Sequence, residues 1–335
     1  MILDGQSQSD VAQAAERLAA GALVAFPTET VYGLGARADD DAAVASIFAT
    51  KGRPSDHPLI VHVADAAQAR HFAAEWPALA ERLAAAFWPG PLTLIVPRRE
   101  GMAAAAAGGQ ATVGLRCPAH PVTHALLVEC ARRGVHGLAG PSANRFGRVS
   151  PTTAAHVEHE FDGALAVLDG GPCAVGIEST IVDVSRGRPV LLRPGVLTPA
   201  ELERAAAMPL AAPDAQAPRA SGTLEAHYAP QARVRLMPAA ALADALALWT
   251  EARGPAAAAA PALAVYSRTV LVPQAAGLVA RRMPDEARAA AYELFAVLRE
   301  LDTLGVPLIW VEQPPPGPAW DGVRDRLQRA AAAAA

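Results

Sequence analysis

The chain has 335 residues, 52% of them hydrophobic and 19% charged, a length that predicts two domains rather than one. A net charge of −4 and a pI near 6.1 give no global basic field, so stable nucleic-acid binding is not expected. Three cysteines (Cys117, Cys130 and Cys173) without C-x-x-C spacing exclude a disulfide framework and a zinc site. No apolar run free of charge and proline reaches the roughly 18 residues of a membrane span. The opening MILDGQSQSD has neither a basic nor an apolar leader region, and the sequence reads as that of a cytoplasmic protein with no membrane association.

The first helix is predicted over residues 10–20, with Asp10 as cap, Gln13 at the reciprocal position and Gly21 as terminator. A buried-type strand at 22–26 delivers the chain into Pro27-Thr28-Glu29-Thr30. A helix at 41–50, a strand at 59–63, helices at 65–74 and 77–87 and a strand at 92–97 follow. An alanine-glycine loop at 101–109 precedes a strand at 112–116, a helix at 121–133 and a short strand at 137–139. Beyond a helix at 152–160 come strands at 165–168, 179–184 and 190–192. Thr198-Pro199-Ala200-Glu201 is a capping box with proline at the first helical position, opening a helix to 207. The alternation predicts an α/β fold, a twisted mixed sheet flanked by helices. Composition then turns to Pro, Ala and small polar residues, so 208–230 reads as a linker between a larger domain, 1–207, and a smaller α/β domain, 231–335. Within the smaller domain, strands are expected at 233–237, 263–266 and 307–311 and helices up to 253 and over 284–304. The alanine run at 256–260 is low-complexity, and the tail at 330–335 is expected to fray.

Polar residues collect where strands end, the position at which open α/β sheets bind small anionic ligands. Lys51 and Arg53 flank a glycine on a segment leaving a helix and can converge on one polyanion; a solvated helix C-terminus is the plainer alternative. Gly140-Pro141-Ser142-Ala143-Asn144 allows close backbone approach and supplies hydroxyl and amide donors, although the same residues favour simple turns. Arg116, ending a strand, can take a carboxylate in its fork or stand as a surface side chain. Gly33-Leu34-Gly35-Ala36-Arg37-Ala38 fits a dinucleotide pattern on paper, but the intervening residues 27–32 spoil the tight strand-turn-helix it requires. Asp39-Asp40-Asp41 reads as helix N-terminal acids, and Glu29 and Glu178 are the better metal-adjacent carboxylates, with no metal site assigned. Cys117 beside Arg116 reads as a structural thiol.

PTETVYGLG followed by KGRPSDHPLIVH, then WPGPLTLIV, GLRCPAHP, GPSAN, GIESTIVDV and LLRPG, resembles in order the YrdC-like domain family of L-threonylcarbamoyladenylate synthases. The motifs cover most of residues 10–205, and the resemblance implies the two-domain form with a Rossmann-like C-terminal domain. It implies that Lys51 and Arg53 contact ATP phosphates and do the catalytic work, with His57, Thr112, Gly140, Ser142, Asn144, Ser150 and Arg193 at the nucleotide. His57 stands where some members carry Asn. By the same resemblance Arg116 holds the L-threonine carboxylate, with Thr30, His62 and Ser179 lining that pocket. Tyr228, in His227-Tyr228-Ala229-Pro230, matches a linker element that folds over the site in two-domain members. Where that linker often has Pro-Gly-Met, this chain has Ser221-Gly222-Thr223.

The implied reaction condenses L-threonine, bicarbonate and ATP, with Mg²⁺ carried on the phosphates, into threonylcarbamoyl-AMP and pyrophosphate. Separate tRNA threonylcarbamoyl-transfer proteins are the implied downstream partners. The chemistry needs no protein nucleophile, because a threonine carbamate is itself competent toward the α-phosphorus, and no activated Ser–His pair is legible. The alternative is an RNA-binding or ribosome-maturation module using the same basic cleft. An aromatic content of 5% weighs against it, since single-stranded RNA binders stack bases on aromatic side chains.

Overall fold

The computed structural model describes residues 1–253 and 260–333. It divides into two compact units, Met1–Phe146 with Ser150–Thr223, and Gly147–Val149 with Leu224–Ala335. Residues 208–230, expected as a linker, are shared: 208–223 fold with the first unit and 224–230 with the second. Local bonds explain the first part. Ala211 N donates to Pro189 O, Asp214 pairs with Arg186 and Arg188, and Arg219 N donates to Gln110 Oε1 at 2.7 Å.

In the first unit, the strands are β1 (Ile2–Asp4), β2 (Val24–Phe26), β3 (Gly33–Arg37), β4 (Ile60–His62), β5 (Leu92–Pro97), β6 (Thr112–Arg116), β7 (Leu138–Ala139), β8 (Ala166–Asp169), β9 (Thr180–Asp183) and β10 (Val190–Arg193). The helices are α1 (Gln8–Ala19), α2 (Asp41–Lys51), α3 (Ala66–Phe72), α4 (Ala78–Phe87), α5 (Pro121–Arg132), α6 (Ala154–Glu160) and α7 (Pro199–Ala206). The described strands form one ten-stranded sheet in the order β1-β8-β2-β3-β7-β4-β6-β5-β9-β10, with parallel and antiparallel pairs mixed, as expected. Helix α1 starts earlier than expected: Ser7, not Asp10, is its cap and accepts from Asp10 N. Thr198 and Glu201 form both halves of the capping box that opens α7.

Strand β3 went unanticipated because its glycines carry no β signal. Its need for them is steric. Phe26 lies across Gly33 and Gly35, and a Cβ on either would stand 3.0 and 2.8 Å from the ring. The residues that mimic a dinucleotide fingerprint are thus the floor under an aromatic side chain.

Period-two alternation assigns the two faces of the sheet. Val24 and Phe26 join Leu18 of α1 and Leu126 of α5 in one core. Ala25, Val61, Leu94, Val113 and Leu115 join Ile47 of α2, Phe72 of α3 and Leu83 of α4 in the other.

The second unit contains β11 (Arg233–Met237), α8 (Ala239–Arg253), β12 (Leu263–Ser267), β13 (Leu278–Arg282), α9 (Ala287–Thr303), β14 (Leu308–Glu312) and α10 (Asp321–Ala332). Its sheet is wholly parallel, in the order β11-β14-β12-β13, a Rossmann-like arrangement as expected. Strand β13 and helix α10 were not anticipated. The tail expected to fray is helical through Ala332, with Leu327 and Ala330 buried. Ala334 and Ala335 lie outside the described residues, as do residues 256–259 of the alanine run.

Glu312, at the end of β14, locks the loop after β12. Its carboxylate accepts backbone N–H bonds from Arg268 and Thr269 at 2.7 Å and from Val270 at 3.1 Å, and the Thr269 hydroxyl donates to it as well. Burial alone would raise this carboxyl; the Thr269 hydroxyl and the three backbone N–H groups outweigh it and hold the pKa below its ordinary range. A depressed carboxyl contributes stability above its unfolded pKa that is lost as pH falls through the folded value. Glu312→Gln is expected to cost about 1–2 kcal/mol at pH 7. In calorimetric unfolding, the gap between wild type and variant should close as the pH falls below the carboxylate range.

Candidate active site

Strand β6 organises the site. Val113 and Leu115 point into the core under α2, α3 and α4, so Thr112, Gly114 and Arg116 face the other way. Four residues of strand put Arg116 about 13 Å from Thr112 along that face. Strand β4 runs parallel beside it, with His62 opposite Arg116 and Ile60 opposite Gly114. A small cavity on this face is lined by Ile60, Thr93, Thr112, Gly114, Ile181 and Ser221 among others.

At the Arg116 end, Arg116 Nη2 lies 2.8 Å from Glu29 Oε1, with both side chains buried. Arg116 Nε donates to Gly90 O at 3.4 Å, and Glu29 Oε2 accepts from Ala119 N at 3.1 Å. Thr28 donates its hydroxyl to Val31 O at 2.6 Å, so the 2.8 Å contact between the Thr28 and Thr30 hydroxyls is donated by Thr30. Burial, helped by the Arg116 charge, pushes His62 down to about 3, so its ring is neutral at physiological pH. His62 Nδ1 is buried without a hydrogen-bond partner and faces Gly140, where a Cβ would stand 3.0 Å from it. Cys117 donates its S–H to Ala64 O at 3.1 Å, and burial pushes the thiol up to about 11, as a structural cysteine requires.

At the other end, Lys51 closes α2 and Gly52 caps it in the left-handed conformation, φ 64°. Lys51 Nζ donates to Ser142 O at 2.6 Å and to Asn144 O, and Phe146 N returns a bond to Lys51 O at 2.8 Å. Helix α2 and the GPSAN loop are thereby tied together. Lys51 is 3% exposed; burial, then the neighbouring Arg53 charge, hold its pKa well below that of an ordinary lysine. Among the described residues, Lys51 makes its bonds to carbonyls and none to a carboxylate. Arg53 Nη2 donates to Pro58 O at 3.1 Å, and the guanidinium lies 5.7 Å from the centroid of Phe146. His57 packs edge-on against the same ring, and its pKa is lowered by burial and by Arg53.

The Glu160 and Glu178 charges lie near Lys51. Ser150 donates to Glu178 Oε1 at 2.5 Å, and Glu29 is committed to Arg116. Arg193 donates from Nε and Nη2 to Ser179 O at 3.1 and 2.9 Å, and from Nη1 to Ser221 O at 2.8 Å.

The first unit thus brings Lys51, Arg53, His57, Ser142 and Asn144 together, and separately His62, Arg116 and Gly140. Thr112 stands at the far end of the strand that carries Arg116. Tyr228 belongs to the second unit, buried at φ 61°, with its ring 5.5 Å from Phe295 and 5.4 Å from the Arg326 guanidinium carbon. Sequence reasoning missed Glu29 as the counter-charge of Arg116, and Ser221, whose backbone carbonyl accepts from Arg193 and whose hydroxyl, brought by the departure from the usual linker element, lies 3.5 Å from Arg53.

Fold and site together define an α/β protein built on a mixed sheet, with the cations Lys51, Arg53 and Arg116 buried within it. Residues 16–195 match the Sua5–YciO–YrdC family model, described as telomere recombination, and residues 197–332 match that of the threonylcarbamoyl-AMP synthase C-terminal domain. The chain belongs to this family, in its two-domain form. It is 46% identical over 220 residues to the threonylcarbamoyl-AMP synthase of Pyrococcus abyssi, a stretch covering 64% of each protein. The enzyme of that name from Bacillus subtilis is 46% identical over 206 residues, 60% of this chain and 58% of that protein. Each match therefore spans less than two thirds of the relative. A crystal structure of Pyrococcus abyssi Sua5 complexed with L-threonine superposes with a TM-score of 0.87 at 34% identity, covering 100% of this chain and 98% of that one.

Breaking the buried pair from one side leaves a charge without compensation. Glu29→Ala is expected to destabilise the protein by about 3–5 kcal/mol, read as a lowered denaturation midpoint in urea. An unchanged midpoint would show that Arg116 does not depend on Glu29.

Proposed function

We propose that the chain is a threonylcarbamoyl-AMP synthase, a nucleotidyltransferase that joins L-threonine, bicarbonate and ATP with release of pyrophosphate. The observation that carries this reading is Lys51. It is a buried side chain whose hydrogen bonds go to the carbonyls of Ser142 and Asn144, beside the cation of Arg53 and with the Glu160 and Glu178 charges nearby. A triphosphate suits two cations held together in this way. Arg116, farther along the sheet face, suits a second and smaller anion, the amino-acid carboxylate. The names of the relatives, and the threonine complex of the Pyrococcus abyssi protein, support the same assignment.

In this reading the threonine ammonium gives a proton to bicarbonate, which yields carbon dioxide and water, and the freed amine adds to the carbon dioxide to form a carbamate, its second proton passing to solvent. A carbamate oxygen attacks the α-phosphorus, the bond to the β-phosphate oxygen breaks, and pyrophosphate leaves. The protein gathers three anionic partners and neutralises their repulsion with fixed charge. Lys51 and Arg53 bind the phosphates; His57, Thr112, Gly140, Ser142, Asn144, Ser150 and Arg193 shape the nucleotide pocket. Arg116 takes the threonine carboxylate with N–H groups not turned to Glu29, and Thr30 and Ser179 offer hydroxyls. A neutral His62 leaves the substrate ammonium unrepelled and presents an acceptor. ATP enters as its magnesium complex. Magnesium keeps most of its water and binds through phosphates, so its ligands are expected to be chiefly phosphate and water; Glu29 and Glu178 already hold protein partners. No described helix is long and apolar enough to cross a membrane. We assign the enzyme to the cytoplasm, where tRNA threonylcarbamoyl-transfer proteins would consume its product.

Replacing Arg53 by Ala should lower pyrophosphate release on the order of 10²–10³-fold while circular dichroism and the thermal midpoint stay close to wild type. Normal turnover in that variant would contradict the role of the basic pair.

A further inference from the structure

We infer that Ser221 is a further nucleotide-binding residue of this chain, its hydroxyl donating to a phosphate oxygen beside Arg53, and that Gln110 positions it; this rests on the function proposed above. Ser221 belongs to the first unit, which runs to Thr223. Its hydroxyl lies 3.5 Å from Arg53 Nη2, and its carbonyl accepts from Arg193 Nη1 at 2.8 Å. One residue thus touches both guanidinium groups assigned to the nucleotide.

The partner fixes the direction of the hydroxyl bond. A guanidinium carries N–H donors and no acceptor, so Arg53 donates and the Ser221 oxygen accepts. Among the described residues, Arg53 is the one partner of that hydroxyl, so the Ser221 proton has no protein acceptor. In the free protein this half-buried group gives its proton to water. With nucleotide bound, an anionic phosphate oxygen beside Arg53 is the stronger acceptor. The proline of the usual linker element has no hydroxyl, so this donor is a feature of the present chain.

A donor on a connecting segment needs that segment held. Gln110 Oε1 accepts from Arg219 N at 2.7 Å while Gln110 Nε2 donates to Arg219 O at 3.1 Å, so one side-chain amide pairs with the backbone as a neighbouring strand would. The Arg219 side chain adds an ion pair to Asp56 at 3.1 Å and a bond to Gly108 O at 2.8 Å. Gly108, at φ 58°, packs on the Asp56 carbonyl, where a Cβ would stand 2.5 Å away. The segments that follow Arg53 and precede Thr112 are thereby joined, and Arg219 is pinned to both, two residues from Ser221. The ion pair to Asp56 is exposed and contributes little, so the Gln110 amide does most of the holding.

In calorimetric titration of the full chain, Ser221→Ala is expected to bind magnesium ATP about tenfold more weakly, the scale of one hydrogen bond to a charged group. The thermal midpoint and the threonine KM should stay near wild type. Ser221→Thr keeps the hydroxyl and should bind ATP as wild type does. Gln110→Ala should weaken ATP binding, and the double variant should be no weaker than Ser221→Ala alone, because the amide acts through the hydroxyl. A merely structural role for Gln110 would lower the thermal midpoint and add to the Ser221→Ala effect. An ATP affinity of Ser221→Ala within about twofold of wild type, or equal weakening in the Ala and Thr variants, would overturn the role of Ser221. Additive effects, or an unchanged affinity in Gln110→Ala, would overturn that of Gln110. Wild-type protein that binds no ATP would instead contradict the proposed function on which the inference stands.

Discussion

The site depends on a buried lysine. Lys51 ends helix α2 and is held by the carbonyls of Ser142 and Asn144, so one side chain both builds and charges the pocket. Two carbonyls satisfy its hydrogen bonds without cancelling its charge, and burial beside Arg53 makes the cationic form costly. In the proposed function a polyanion entering the pocket would relieve that cost, at a place set by the same contacts that join α2 to the GPSAN loop.

The sheet separates the two ends of the candidate site by simple geometry. Alternation along β6 sends Val113 and Leu115 into the core and leaves Thr112, Gly114 and Arg116 on the working face. A bare glycine between the two polar ends keeps the middle of the strand open to a ligand. Small residues perform a comparable task at Gly33, Gly35 and Gly140, each pressed against Phe26, with Gly140 also against His62. One aromatic ring thus sets the local spacing of strand β3, the GPSAN turn and the neutral imidazole.

Most of the larger unit was legible in the sequence because its strands are short apolar runs ended by turn residues, and its motifs occur in a recognisable order. Strand β3 was not, because Gly33 and Gly35 signal flexibility in isolation and packing only once Phe26 is placed over them. Helix α10 was hidden by its alanine-rich end, although Val323, Leu327 and Ala330 share its buried face. For the candidate site, the motifs singled out Lys51, Arg53 and Arg116, and the resemblance supplied the roles expected of them. They did not disclose that Glu29 neutralises Arg116, that burial keeps His62 uncharged, or that Thr93 reaches Ser179. Those are facts of long-range register, which residue identity alone does not encode.

The most direct test is the mass of the nucleotide formed when purified protein is incubated with ATP, magnesium, L-threonine and bicarbonate. The proposed function predicts a threonylcarbamoyl-AMP mass, with pyrophosphate release requiring both threonine and bicarbonate. Pyrophosphate release that is indifferent to threonine, or no nucleotide product from folded protein, would contradict the account.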